Sequence, residues 1–195
     1  MTANLVSSAH QEFIANLAAR APKHHPPSVK EIVKFEPDGP YRTKSRADLT
    51  VHFALDGTLR DKFIRPEPEE LGHLPVPLAG LRTSVVSGLC IDAVGGGEWH
   101  RARQEIITVL SGALKWTCED LHGGVGEYEL QPGQTIWLPP FILHSYRAMN
   151  QATSYLVLAN TTFFNPEDHE DPRTHDTYDA KSFRVLQGHY SSPPG

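Results

Sequence analysis

Two cysteines in 195 residues are too few for a disulfide scaffold. Both, Cys90 and Cys118, lie inside apolar strand-like runs, where a thiol packs as a small hydrophobe, so they are read as buried and reduced. No run approaches the ~20 consecutive apolar residues that a membrane-spanning helix requires. Charge of one sign is missing too. The 18 Lys and Arg stand against 23 Asp and Glu with no block of like charge, which argues against a nucleic-acid or anionic membrane surface. Residues 1–8 lack a basic region leading into an apolar run, so no signal peptide is expected. The expectation is a cytoplasmic protein with no nucleic-acid and no membrane partner.

What the chain has in quantity is Gly and Pro, 15 and 16 residues, a density that favours short strands and tight turns over long helices. The length suits one domain and buries a core without disulfides or a structural metal. Residues 8–20 read as a helix, with Ser8 and Gln11 as a capping box and Phe13, Ile14 and Leu17 on one face. Pro22 and the run at 23–27 stop it, and His24 and His25 there are read as solvated. Leu49, Val51, Phe53 and Leu55 alternate with polar neighbours, and Asp56-Gly57 predicts a hairpin turn, with His52 on the surface. A Pro-punctuated connection follows over 66–80.

From residue 82 strands are expected at 82–93, 105–111, 113–118, 126–130, 134–138, 142–148 and 153–160, an all-β sandwich or barrel. The acidic stretch 165–175, with His169 and His175, reads as a solvated loop, and Ser182 to Leu186 as a last strand. The organisation is therefore an N-terminal helix and linker over 1–28, one barrel domain over 29–188 and a loose tail over 189–195.

The chemistry concentrates between Gly95 and Tyr146. His100, Glu105 and His144 lie on neighbouring strands, and two His with one carboxylate can converge inside a barrel to hold a metal with open positions. Glu98 shares parity with His100 and is a fourth candidate ligand or a base. Tyr146 shares a face with His144 and is a candidate to donate a hydrogen bond or proton to substrate, or else to pack in the barrel. Ile107 and Val109 share the face of Glu105 as apolar wall. Trp99, Arg101 and Arg103 alternate away from His100, outside or at the rim, where the two arginines meet an anionic substrate or solvent. Trp116 and Trp137 are read as packing residues.

Glu105, six intervening residues and Gly112 match the second part of the first cupin motif. Gly133, five residues, Pro139 and then His144 match the second. Over about 81–160 the chain thus resembles the cupin superfamily. The resemblance implies a double-stranded β-helix, the jelly-roll barrel, here with a short N-terminal helix. It also implies that His100, Glu105 and His144 sit where the family keeps metal ligands. Three positions depart: Glu98 stands for the first His, Phe141 for a Gly and Ala148 for an Asn. The segments 136–144, 155–160 and 163–168 also resemble the nucleotide-sugar ketoisomerase branch, across roughly 105–185. That branch works without a metal and shuttles protons with a His pair, whose counterparts here are Glu98 and His100. Residues 1–80 have no clear counterpart.

The leading expectation is a metal-dependent enzyme of the cupin class acting on a small-molecule substrate. A divalent metal, Fe(II) first and Mn, Ni or Zn next, would support oxygenase, lyase or isomerase chemistry at His100, Glu105, His144 and Glu98. One alternative is a metal-free sugar ketoisomerase or epimerase using Glu98 and His100 as acid–base pair. Another is a non-enzymatic small-molecule-binding cupin. A homodimer is expected from the resemblance.

Overall fold

A computed structural model describes residues 26–64, 82–101, 103–160 and 176–191. The expected helix at 8–20, His24 and His25, the connection at 66–80, and His169 and His175 lie outside the described residues. A 3-10 turn at Val29–Glu31 leads into the strands: β1 (Val33–Phe35), β2 (Asp38–Arg42), β3 (Asp48–Val51), β4 (Arg82–Leu89), β5 (Val94–Trp99) and β6 (Glu105–Ser111). They continue as β7 (Leu114–Glu119), β8 (Val125–Leu130), β9 (Thr135–Leu138), β10 (Leu143–Ala148), β11 (Thr153–Ala159) and β12 (Tyr178–Asp179). Two helices, Gly57–Ile64 and Ala180–Ser191, complete the described elements. No described helix is long and apolar enough to cross a membrane.

Two five-stranded antiparallel sheets, ordered β1-β9-β6-β11-β4 and β12-β5-β10-β7-β8, face each other as the expected all-β jelly roll. Strand alternation fills the space between them. On β7, Leu114, Trp116 and Cys118 are buried while Lys115, Thr117 and Glu119 turn outward. They meet Ile107, Val109, Ile136, Leu138 and Tyr155 from the other sheet in one core. The first five residues of β6 are all buried because its outer face is covered too. There Ile106 and Trp137 pack on Phe63 of the first helix, whose full burial contributes about 1.5–3 kcal/mol.

Turn chemistry sets the register. At Pro132-Gly133 the Gln134 N–H donates to the Gln131 carbonyl at 3.0 Å, with Gly133 at φ +87, a conformation that favours glycine. Gly112 turns at φ +71 close against Thr153, whose Cα would stand 2.8 Å from an added Cβ.

Three local expectations differ. Asp56-Gly57 opens a helix rather than a hairpin, because the Asp56 carboxylate accepts the Leu59 N–H at 2.8 Å as an N-cap. Residues 182–186 are helical, not extended. Phe183 and Leu186, three apart, share one helix face and bury against Trp99, Leu121 and Tyr178 on the outer side of the second sheet. Cys118 is buried, whereas Cys90 is exposed in the turn after β4.

Candidate active site

The glycines of β5 decide how closely its neighbour approaches. β10 pairs with β5 with a register shift between His144 and Ser145, and Gly96 turns at φ +74 beside that irregularity. A Cβ on Gly96 would meet the His144 carbonyl at 2.8 Å, and one on Gly95 would run into the phenol of Tyr146. Lacking side chains, the two glycines let Tyr146 lie flat across β5 with His144 inward beside it. Glu98 stands opposite His144 in the register.

Four side chains named from the sequence converge here. His100 Nε2 lies 4.0 Å from Glu98 Oε1 and 3.8 Å from Glu105 Oε1, and His144 Nε2 lies 3.6 Å from Glu105 Oε2. His100, Glu105 and His144 are buried, while the Glu98 side chain is 38% exposed at the pocket side. Each imidazole is held by a carbonyl: His100 Nδ1 by Asp176 at 2.6 Å, and His144 Nδ1 by Ile142 at 3.0 Å. A carbonyl only accepts, so both Nδ1 atoms carry the proton. A neutral ring then presents its lone pair on Nε2, and His100 Nε2 is buried with no hydrogen-bond partner among the described residues.

Burial, and after it the Arg103 guanidinium, hold the His100 imidazole well below its ordinary value. His144 and Arg82 act in the same direction, and the hydrogen bond to Asp176 opposes them. His100 is therefore neutral, with its lone pair on Nε2. Arg103 Nη1 also lies 3.4 Å from Glu105 Oε1.

These groups line or border a cavity of about 540 Å³, within the ordinary range for a small-molecule site. Arg82, Arg103 and Thr177 add polar edges, and Ile107, Trp116 and Val157 supply apolar wall. Tyr146 and Tyr155 meet edge to face with centroids 5.2 Å apart. Burial first, then the hydrogen bond with Tyr146, raises the Tyr155 phenol, so it stays protonated. The buried Trp116 indole N–H has no hydrogen-bond partner among the described residues.

Of the residues that strand parity turned inward, Glu98, Glu105, Ile107, His144 and Tyr146 line this cavity, and His100 lies beside it, 4.0 Å from Glu98. The parity failed just beyond β5. Trp99 does face away from His100, but it is fully buried under the C-terminal helix, not outside. Arg101 and Arg103 are buried as well, and Arg103 lines the cavity, because the chain leaves β5 after Trp99 and strand alternation ends there. Arg82, Trp116, Asp176 and Thr177 went unrecognised as site residues. Asp176 and Thr177 carry no local signal and arrive from more than seventy positions away.

No family model matches the chain, and no curated protein sequence does. Solved structures do. The 3,4-ketoisomerase QdtA of Thermoanaerobacterium thermosaccharolyticum, as a variant in complex with TDP-4-keto-6-deoxyglucose, superposes with a TM-score of 0.51 at 14% identity, covering 80% of this chain and 93% of that one. The TDP-quinovose 3,4-ketoisomerase WlaRB of Campylobacter jejuni gives 0.52 at 14% identity, covering 80% and 99%. RmlC of Streptococcus suis, in complex with dTDP-D-xylose, gives 0.50 at 16% identity, covering 74% and 72%. The fold is the RmlC-like cupin jelly roll.

The metal-dependent reading is corrected by this finding. These neighbours are sugar ketoisomerases and RmlC, the branch whose resemblance implies metal-free proton transfer, rather than oxygenases or lyases. Spacing alone would admit an ion, since Glu98, His100 and His144 offer ligand atoms within 4.8 Å of one another. Glu105 is already engaged, with Arg103 Nη1 at 3.4 Å from its Oε1, and Arg103 and Arg82 add positive charge beside His100. The assignment of Fe(II), Mn, Ni or Zn to His100, Glu105, His144 and Glu98 is withdrawn.

Proposed function

We propose that this chain is a metal-free isomerase of keto sugars carried on a nucleotide, with His100 and Glu98 as its acid–base pair. The observation that carries the reading is the buried Nε2 of His100, without a hydrogen-bond partner among the described residues and 4.0 Å from the Glu98 carboxylate at the cavity wall.

His100 Nε2 takes the proton from the carbon next to the substrate carbonyl, and the electron pair moves into an enediol. Glu98 accepts the hydroxyl proton on that carbon and delivers it to the former carbonyl oxygen. The proton on His100 exchanges with solvent, and His100 then protonates the former carbonyl carbon. The ketone has moved by one carbon, and nothing is gained or lost. Tyr146 donates a hydrogen bond to one of the two oxygens. His144 Nε2, Glu105 and Glu98 are acceptors facing one space, which suits the hydroxyl donors of a sugar ring. Arg82 and Arg103 suit the anionic part of such a ligand. Ketoisomerases of the same fold support the reading, and the expected homodimer belongs to it.

The test is incubation with TDP-4-keto-6-deoxyglucose, the ligand of the QdtA variant, in D₂O with excess chelator. A migrated ketone with deuterium on the neighbouring carbon is expected, at a rate the chelator leaves unchanged. No deuterium uptake from this or other TDP- and UDP-linked keto sugars overturns the proposal.

A further inference from the structure

Asp176 touches three atoms of the segment that carries the base. Its backbone carbonyl accepts from His100 Nδ1 at 2.6 Å. Its carboxylate accepts the backbone N–H of Arg101 at 2.9 Å through Oδ1 and that of Arg103 at 2.7 Å through Oδ2. The residue is 2% exposed. Two positions on, Tyr178 and Asp179 pair with Trp99 and Glu98, so the same stretch is laced to β5. From the far side the Phe141 N–H donates to the His100 carbonyl at 2.7 Å.

We propose that Asp176 is the positioning residue of this site: its carbonyl selects the tautomer of His100, and its carboxylate holds the backbone that aims His100 and Arg103. The proposal rests on the reading of His100 as the base. The two neutral tautomers of a free imidazole coexist, and an acceptor at Nδ1 leaves only the one with its lone pair on Nε2. The two carboxylate bonds are charge-assisted and buried, so they hold Arg101 and Arg103, and with them His100, in place. A side-chain change at Asp176 acts on the carbonyl indirectly, by releasing the backbone N–H groups of Arg101 and Arg103. Asn is the informative replacement. Its shape is the same, but its amide nitrogen donates and cannot accept from a backbone N–H.

The experiment is ¹⁵N NMR of the full chain labelled at histidine, with kinetics on the same samples. In wild type, His100 should show a protonated Nδ1 and a lone-pair Nε2. In Asp176→Asn the two signals should move toward each other as the tautomers mix, while those of His144, held separately by Ile142, stay in place. The accompanying kcat should fall about 100-fold with KM changed less than about twofold, the pattern of a misaimed rather than an empty site. A merely structural role would lower the melting temperature and leave the His100 tautomer alone.

Nε2 protonation of His100 in wild type overturns the proposal, and that measurement decides even if the variant does not fold. An Asp176→Asn protein with unchanged His100 signals and unchanged kcat also overturns it. A tautomer change in a protein that exchanges no keto sugar supports Asp176 as the positioning residue and removes the proposed reaction instead.

Discussion

His144 Nε2 lies 3.6 Å from Glu105 Oε2, so the histidine of one sheet faces the first carboxylate of the other across the barrel interior. Both sheets must pack in register for the site to exist. Glu105→Gln keeps the shape but removes the charge shared by His100, His144 and Arg103. The expected result is a folded protein whose kcat for deuterium exchange drops about 10- to 100-fold, in line with loss of a charged hydrogen-bond partner. Circular dichroism beside the exchange assay checks it.

His100→Gln and Glu98→Gln should cost more than Glu105→Gln, about 10²- to 10⁴-fold in kcat, because in the proposed reaction each carries a proton while Glu105 only neighbours one that does. Equal exchange rates in wild type and His100→Gln would remove His100 from the mechanism.

The depressed proton affinity of His100 has a sign that can be measured. A base must be neutral, so activity should rise with pH through a value below the ordinary 6.5, and Arg103→Gln should move that limb upward by removing a positive neighbour. Stability follows the same group. The unfolded chain takes the proton first as pH falls, so the contribution of His100 is complete above 6.5 and is lost from there down to the lower folded value. Kinetic and urea-denaturation profiles against pH read the two effects separately.

Gly95 exists for Tyr146. Gly95→Ala should displace the phenol, raising KM, while Tyr146→Phe keeps the ring and removes only the hydroxyl. If Tyr146 donates to a substrate oxygen, the Phe variant should lose about 5- to 20-fold in kcat/KM, the value of one hydrogen bond. Identical kinetics for Tyr146→Phe and wild type would leave Tyr146 as packing.

The C-terminal helix covers the site from behind. Phe183 is fully buried and meets Trp99 at 6.1 Å between ring centroids, with Tyr178 on the same indole at 4.6 Å. Phe183→Ala should cost about 3–5 kcal/mol in chemical denaturation. It should also lower activity, since the helix is joined to Asp176 and Thr177 through β12.

Much of this was legible in the sequence wherever the information was local. Alternation on β6, β7 and β10 told which side chains turn inward, and Gly112 and Pro132-Gly133 marked the turns between them, because pleat and turn sterics act over a few residues. Phe141 shows where such reading strains. It takes φ +59, the conformation a glycine would adopt there, and its ring stacks on Trp99 with centroids 5.9 Å apart. The stack offsets a cost of about 1–2 kcal/mol that a motif comparison sees only as a mismatch.

By itself, then, the sequence determined a jelly roll with Glu98, His100, Glu105, His144 and Tyr146 on inward positions. The charge state and aim of that site were decided only by the tertiary structure. Asp176 reaches His100 across 76 positions, Arg82 comes in from another strand, and Arg103 turns inward once the chain has left β5. No local periodicity encodes such meetings. They arise when two sheets and a returning C-terminal segment close over one volume, and that closure gives the imidazole a proton on Nδ1, a lone pair on Nε2 and positive neighbours.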